Sequence, residues 1–162
     1  MTFHEQLARA TAVDRDFLLA APVIQRCLTG DVTREIYVAF LTQAYHHVRH
    51  TVPLLMAVGA RLPDRHRWLQ PAVLHYLEEE AGHDEWILND IAQAGGDRVA
   101  AGASEPAIAT EAMIAYAYDT VTRRNPLGFF GMVHVLEGTS VALALTAADR
   151  IQQTLGLPTR AF

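Results

Sequence analysis

A chain of 162 residues has the size of one domain and can bury about 70 % of its unfolded surface in one core, with no need of staples. Hydrophobic residues make up 51 % and charged residues 19 %, with a mean hydropathy of +0.10, which excludes a disordered chain; no apolar run reaches the roughly 18 residues of a membrane span. The net charge of −5 and the lack of any basic run exclude phosphate-backbone binding, and all 13 basic residues being Arg excludes lysine Schiff-base chemistry. The amino terminus from Met1 to Glu5 lacks the pattern of a signal peptide and Cys27 has no partner for a disulfide, so a reducing cytoplasm is the expected compartment.

Nothing repeats and no linker is visible, so residues 1–162 are expected to form one domain. Thr2 and Glu5 have capping-box spacing, and Phe3, Leu7, Ala10 and Val13 follow at helical steps, which predicts a first helix to about Ala20. A short helix from Pro22 to Leu28 is closed by Gly30. From Asp31 a stripe of Val38, Leu41, Tyr45, Val48, Val52, Leu55 and Leu62 predicts a second long helix, kinked at Pro53. A third long helix runs from Asp64 to Ala94 with Gly82 inside it, and Gly95 with Gly96 stops it. After a short loop through Gly102, Ser104 and Pro106 begin a fourth helix, and Asn125 as N-cap with Pro126 begins a fifth that reaches about Leu155. Strand signals are missing, so the fold class is all-α, with helices long enough for a bundle. Gly156 and Pro158 stop the fifth helix, and Thr159, Arg160, Ala161 and Phe162 read as the entrance to a further element that the chain lacks.

Two of these helices carry polar residues on apolar stripes. On the third, Leu69, Val73, Tyr76, Glu80, His83, Ile87, Ile91 and Ala94 share one face. On the fifth the stripe is Leu127, Phe130, His134, Glu137, Val141, Ala144, Ala148 and Ile151. Turning carboxylates inward is costly unless something compensates them, and a metal ion held by Glu and His in a helical bundle does so. Other readings stay open: Glu80 belongs to a charge run with Glu78, Glu79, Asp84 and Glu85, Glu79 is a rival partner for His83, and His134 could be a core histidine bonded to a carbonyl. Gly131 and Gly138 allow a neighbour close to the helix that carries Glu137, which implies burial there. His46 and His50 lie one turn apart with His47 between them, at ligand spacing or as an outer cluster. His4, His66 and His75 fit surface positions, and Cys27 fits a small buried residue.

The stretches from Tyr45 to Pro53, from Glu78 to Trp86 and from Gly131 to Ser140 together resemble the haem-oxygenase-like iron-containing oxidases, relatives in fold of thiaminase II and pyrroloquinoline-quinone synthase. That resemblance implies a haem-oxygenase-like helical bundle. It also implies iron ligands at Glu80 and His83, from the Glu-x-x-His pattern, and at Glu137 on a later helix. Two departures stand out. The preceding helix, which supplies a carboxylate in that family, offers only His46, His47 and His50, so one of these histidines, with His46 the candidate, takes the place of that ligand or none does. The family's closing helix, with an acidic residue and a His four positions on, would lie beyond Phe162, so the bundle is expected to be incomplete at its C-terminal end.

The expected function is therefore that of a non-haem iron oxidase or oxygenase, with one or two ferrous ions held by Glu80, His83, Glu137 and His46 and with dioxygen acting on a small polar substrate, an amine or a carboxylate. Tyr76, Phe130 and Ile87 would wall the site, and Tyr45 and Arg49 are the expected substrate contacts. The alternatives are a metal-free enzyme of the cofactorless-oxidase or thiaminase kind, with His and Glu as acid and base, and a non-catalytic module that binds a small ligand or haem. Cys27 precedes the helices that carry the site, which weighs against the thiaminase form. An exposed groove left by a missing closing helix would favour a homodimer.

Overall fold

The computed structural model describes residues 1–157, apart from the side chains of residues 140–145, and builds them from ten α-helices and one 3-10 helix. No strand occurs among the described residues, and no helix among them is long and apolar enough to cross a membrane. The expectations at Thr159 to Phe162, and those for the side chains of Val141 and Ala144, lie outside the described residues. Two compact units result: Met1–Tyr37 with the chain from Phe130 onward, and Val38–Phe129.

In the first unit the capping box forms as its spacing requires. The Thr2 hydroxyl accepts from the Glu5 amide at 3.2 Å and the Thr2 amide donates to the Glu5 carboxylate at 2.8 Å, opening α1 (Phe3–Ala10). The single helix expected to Ala20 is interrupted at Thr11, where α2 (Ala12–Leu19) takes over. The Thr11 hydroxyl donates to the Leu7 carbonyl at 2.8 Å, a back-bond that competes with helix geometry. Pro22 opens α3 (Pro22–Thr29), and Gly30, at φ 76°, closes it in the left-handed region. Cys27 is buried, as expected of a small core residue, and burial pushes its thiol pKa up. Asn125 accepts from the Leu127 amide at 3.1 Å in the turn that leads into α10 (Gly128–Leu155), so this helix begins two residues later than Pro126. The Arg34 guanidinium donates to the Leu155 carbonyl at 2.6 Å, placing a cation at the negative end of α10.

The second unit departs from the expected helices at two points. The helix predicted to kink at Pro53 is instead two helices, α4 (Arg34–Val48) and α5 (Thr51–Arg61), parted at Arg49 and His50. Pro53 has no N–H to give the Arg49 carbonyl and its ring would strike that carbonyl, so the break falls four residues upstream. Proline then sits in the first turn of α5, where amides have no helical partner in any case. The third predicted helix begins as a 3-10 helix (Asp64–Leu69), continues as α6 (Gln70–Glu80), stops at Ala81 and Gly82, and resumes as α7 (His83–Gln93). Gly82 has φ 91°.

The loop through Gly102 contains α8 (Arg98–Ala103), capped by Asp97, whose carboxylate accepts from the Val99 and Ala100 amides. Ser104 ends α8 rather than opening the next helix, α9 (Ile108–Arg123). Helix α5 packs against α6 and α9. Leu55 and Val58 of α5, Ile91 of α7 and Val121 of α9 are fully buried, each contributing about 1.5–3 kcal/mol of apolar transfer. A Cβ at Gly96 would stand 2.8 Å from both Ile91 Cγ2 and Val38 Cγ1, so close packing there requires glycine.

Candidate functional site

Despite the break at Gly82, all eight residues of the predicted stripe across α6 and α7 are buried or half-buried. Glu80 closes α6 and His83 opens α7. The Glu80 side chain is only 11 % exposed, against 31 % for His83, and its Oε2 lies 3.2 Å from His83 Nδ1. A carboxylate only accepts, so His83 Nδ1 carries a proton and donates it to Glu80. The Trp86 ring lies 4.4 Å from the His83 ring and tilted 40° against it. The competing assignments within the acidic run resolve: Glu78 and Glu79 are exposed, and Glu79 pairs at 3.3 Å with His75, also exposed, rather than with His83.

On α4, His46 is buried at 2 % exposure. Its Nε2 lies 2.9 Å from Ser104 Oγ, and that hydroxyl donates to the Ala101 carbonyl at 2.7 Å. Having one proton and spending it on Ala101, Ser104 accepts from His46, which fixes the proton on Nε2. Burial, reinforced by Arg49 and opposed by Glu105, holds the His46 pKa low. Burial also lowers His47, with His50 adding to the effect.

His50 Nδ1 lies 3.1 Å from the Tyr118 hydroxyl with the two rings edge to face. Burial pushes the phenol pKa up and the imidazole pKa down, so a neutral phenol and a neutral imidazole share this hydrogen bond. Arg49 is exposed and its guanidinium sits 5.6 Å over the centre of the buried Tyr45 ring, so the two expected substrate contacts engage each other.

In the first unit, Glu137 and His134 are half-buried on α10. Among the described residues His134 meets neither a carbonyl nor a carboxylate. Arg15 Nη1 lies 3.4 Å from its Nε2, and the His4 ring stands edge-on at 5.7 Å.

Of the expected site residues, then, Glu80 and His83 are in direct contact, Tyr45, His46 and Arg49 share α4, and Glu137 belongs to the other unit. Among the described residues no group of three or more His, Cys, Asp or Glu is gathered as a metal site. Carboxylate and imidazole are nevertheless donors that suit ferrous iron, and the Glu80–His83 pair fits as part of such a site. Ser104, Tyr118 and Arg15 were not visible as functional candidates in the sequence. The first two are linked to their partners only by tertiary packing, whereas the i,i+4 spacing of Thr11 and Arg15 was a local signal.

The profile of a family described as iron-containing redox enzyme matches residues 38–162. Among solved structures, the chain is similar to the crystal structure of a domain of unknown function with a heme oxygenase-like fold from Shewanella denitrificans OS217. The two share 30 % identity at a TM-score of 0.83, over 99 % of this chain and 69 % of that one. No curated protein matches at the same stringency.

Proposed function

Because the chain belongs to the iron-containing redox enzyme family, with a haem-oxygenase-like fold, we propose that it is a non-haem iron-dependent oxidase or oxygenase that uses dioxygen to oxidise a small polar substrate. The observation that carries this reading is the inward Glu80 carboxylate in contact with His83 while its neighbours Glu78 and Glu79 face solvent. In this reading Glu80, His83 and Glu137 hold the ion, and His46, its Nε2 committed to Ser104, has Nδ1 for any further contact. Bound ferrous iron supplies the electrons that dioxygen requires.

The protein's own part is orientation, proton handling and exclusion of water. Glu80 fixes the His83 ring through Nδ1, and Trp86 supports it from the side. Tyr76 and Ile87, half-buried on the same stripe, keep water from the pair. The Tyr118 phenol and the neutral His50 imidazole form a donor and acceptor able to pass a proton between them.

The test is iron content per chain after anaerobic ferrous reconstitution, read together with dioxygen uptake. Stoichiometric iron with uptake supports the reading, and its loss in Glu80→Gln assigns the site. Failure to retain iron specifically would overturn it. A metal-free reading takes Glu80 and His83, in direct contact, as an acid–base pair, and that same negative result would favour it.

A further inference from the structure

The apolar stripe that predicts the first helix is not spent on the core. Phe3, Val13 and Phe17 are 78 %, 79 % and 81 % exposed, Ala10 is exposed, and no residue of α1 or α2 is fully buried. The interruption at Thr11 leaves the stripe intact. The Thr11 amide donates to the Leu7 carbonyl and the Arg15 amide to the Thr11 carbonyl, each at 3.0 Å, so helical bonding carries through. The first unit's own contacts use another side of these helices, where His4 and Arg15 meet His134 of α10.

The exposed face has a symmetry of its own. Counted from Ala10, Leu7 and Val13 lie three residues away, Gln6 and Asp14 four, and Phe3 and Phe17 seven, all of them steps that share one side of a helix. A two-fold axis at Ala10 therefore sets Phe3 against Phe17 of a second copy and Leu7 against Val13. It sets alanine against alanine at the crossing, where the backbones can approach closely. The same axis brings the Gln6 amide, a donor, to the Asp14 carboxylate, an acceptor, so the charge within the face gains a partner.

Four phenylalanine rings at this exposure remove about 500–800 Å² from water, roughly two-fifths of the about 1,200–2,000 Å² of a stable interface. A bilayer is a poor occupant of the face. The exposed charges of α1 and α2 are Glu5, Asp14 and Asp16 against Arg9, an acidic excess that an anionic lipid surface repels, and insertion would carry the Asp14 carboxylate toward the acyl chains. We propose that α1 and α2 are the interface of a homodimer, in which two copies of this chain pair antiparallel about a two-fold axis at Ala10. The inference uses no part of the iron-dependent reading.

The experiment is sedimentation velocity of the full chain up to about 100 μM, a range that covers interfaces of this size. The parent is expected to reach twice the 17.9 kDa of one chain. Phe17→Glu and Phe3→Lys should each weaken the dimer by about tenfold or more. Both substitutions in one chain should restore it in large part, because the antiparallel arrangement sets position 3 of each copy opposite position 17 of the other. Trp68→Glu, at an exposed aromatic of the second unit, should leave it unchanged.

Should either substitution lose helicity in circular dichroism, Ala10→Cys decides. With the axis at this position mild oxidation should link two chains, whereas Ala20→Cys, exposed just past α2, and the parent, with Cys27 buried, should stay unlinked. A parent that is monomeric throughout, a dimer that Phe17→Glu leaves intact, or a double variant no better than its singles would each overturn the proposal. So would a monomer that binds vesicles of phosphatidylcholine and phosphatidylserine through Phe17, since the face would then belong to a bilayer.

Discussion

Replacing Gly82 by Ala separates two accounts of the Glu80 to His83 segment by the sign of a single number. A helix continuous through this point, as hydrophobic periodicity suggests, would be stabilised by the change, by about 0.8–1 kcal/mol. In the structure Gly82 has φ 91°, a left-handed conformation that costs an alanine about 1–2 kcal/mol. The reduced freedom of the unfolded chain returns about 0.4–1 kcal/mol of that. No atom lies within 4 Å of a Cβ built at Gly82, so steric repulsion adds nothing. The net expectation is a loss of about 1 kcal/mol, which for a chain of this length is a melting temperature lower by about 2–4 °C. Gly82→Asn should lose less, since asparagine tolerates the left-handed region. Thermal melts of the iron-free variants by circular dichroism read this directly. A rise in melting temperature for Gly82→Ala would refute the break and restore one helix carrying both Glu80 and His83.

Three further outcomes are expected. Ser104→Ala removes the acceptor of a buried imidazole N–H and should cost about 1–3 kcal/mol in denaturant unfolding; a neutral result would place His46 Nε2 in other company. His46, His47 and His50 all titrate below their ordinary value, chiefly through burial, so below pH about 6.5 the unfolded chain binds protons that the folded chain refuses. Stability is therefore fully present above that pH and falls as pH drops through it. The iron-free protein should show a melting temperature that declines as pH falls below about 6.5, more shallowly in His47→Gln, and a flat profile would contradict the burial of these rings. Glu137→Ala should abolish stoichiometric iron binding with helicity intact, whereas Glu79→Gln should leave iron content unchanged; equal iron in Glu137→Ala and parent would remove Glu137 from the site.

Much of the helical architecture was legible because it is local. The Thr2–Glu5 box, Pro22 at the head of α3 and Gly30 at its foot act within one or two turns, and each does what its spacing requires. The residues of the stripe from Leu69 to Ala94 do turn inward, but the choice of Glu80 over Glu78 and Glu79, left open in the sequence, came from burial and from the pairing of Glu79 with His75. The helix breaks were less legible. Pro53 was visible, but its effect falls on the carbonyl four residues earlier, and Gly82 reads as a tolerated helix glycine until its φ is known. The missed α8 shows the same limit, since Asp97 is a cap only if the short segment after it packs as a helix.

The sequence by itself determined the all-α class and the resemblance to iron-containing oxidases, and it marked an apolar stripe with Glu80 and His83 as candidates on it, because periodicity, caps and motif spacing are written in neighbouring residues. Tertiary structure alone decided that His46 gives its proton to Ser104, that Tyr118 faces His50, and that Arg15 meets His134 across 119 positions of sequence. The physical reason is that hydrogen-bond partners and unmet charges depend on which surfaces meet after burial, and no local pattern encodes that meeting.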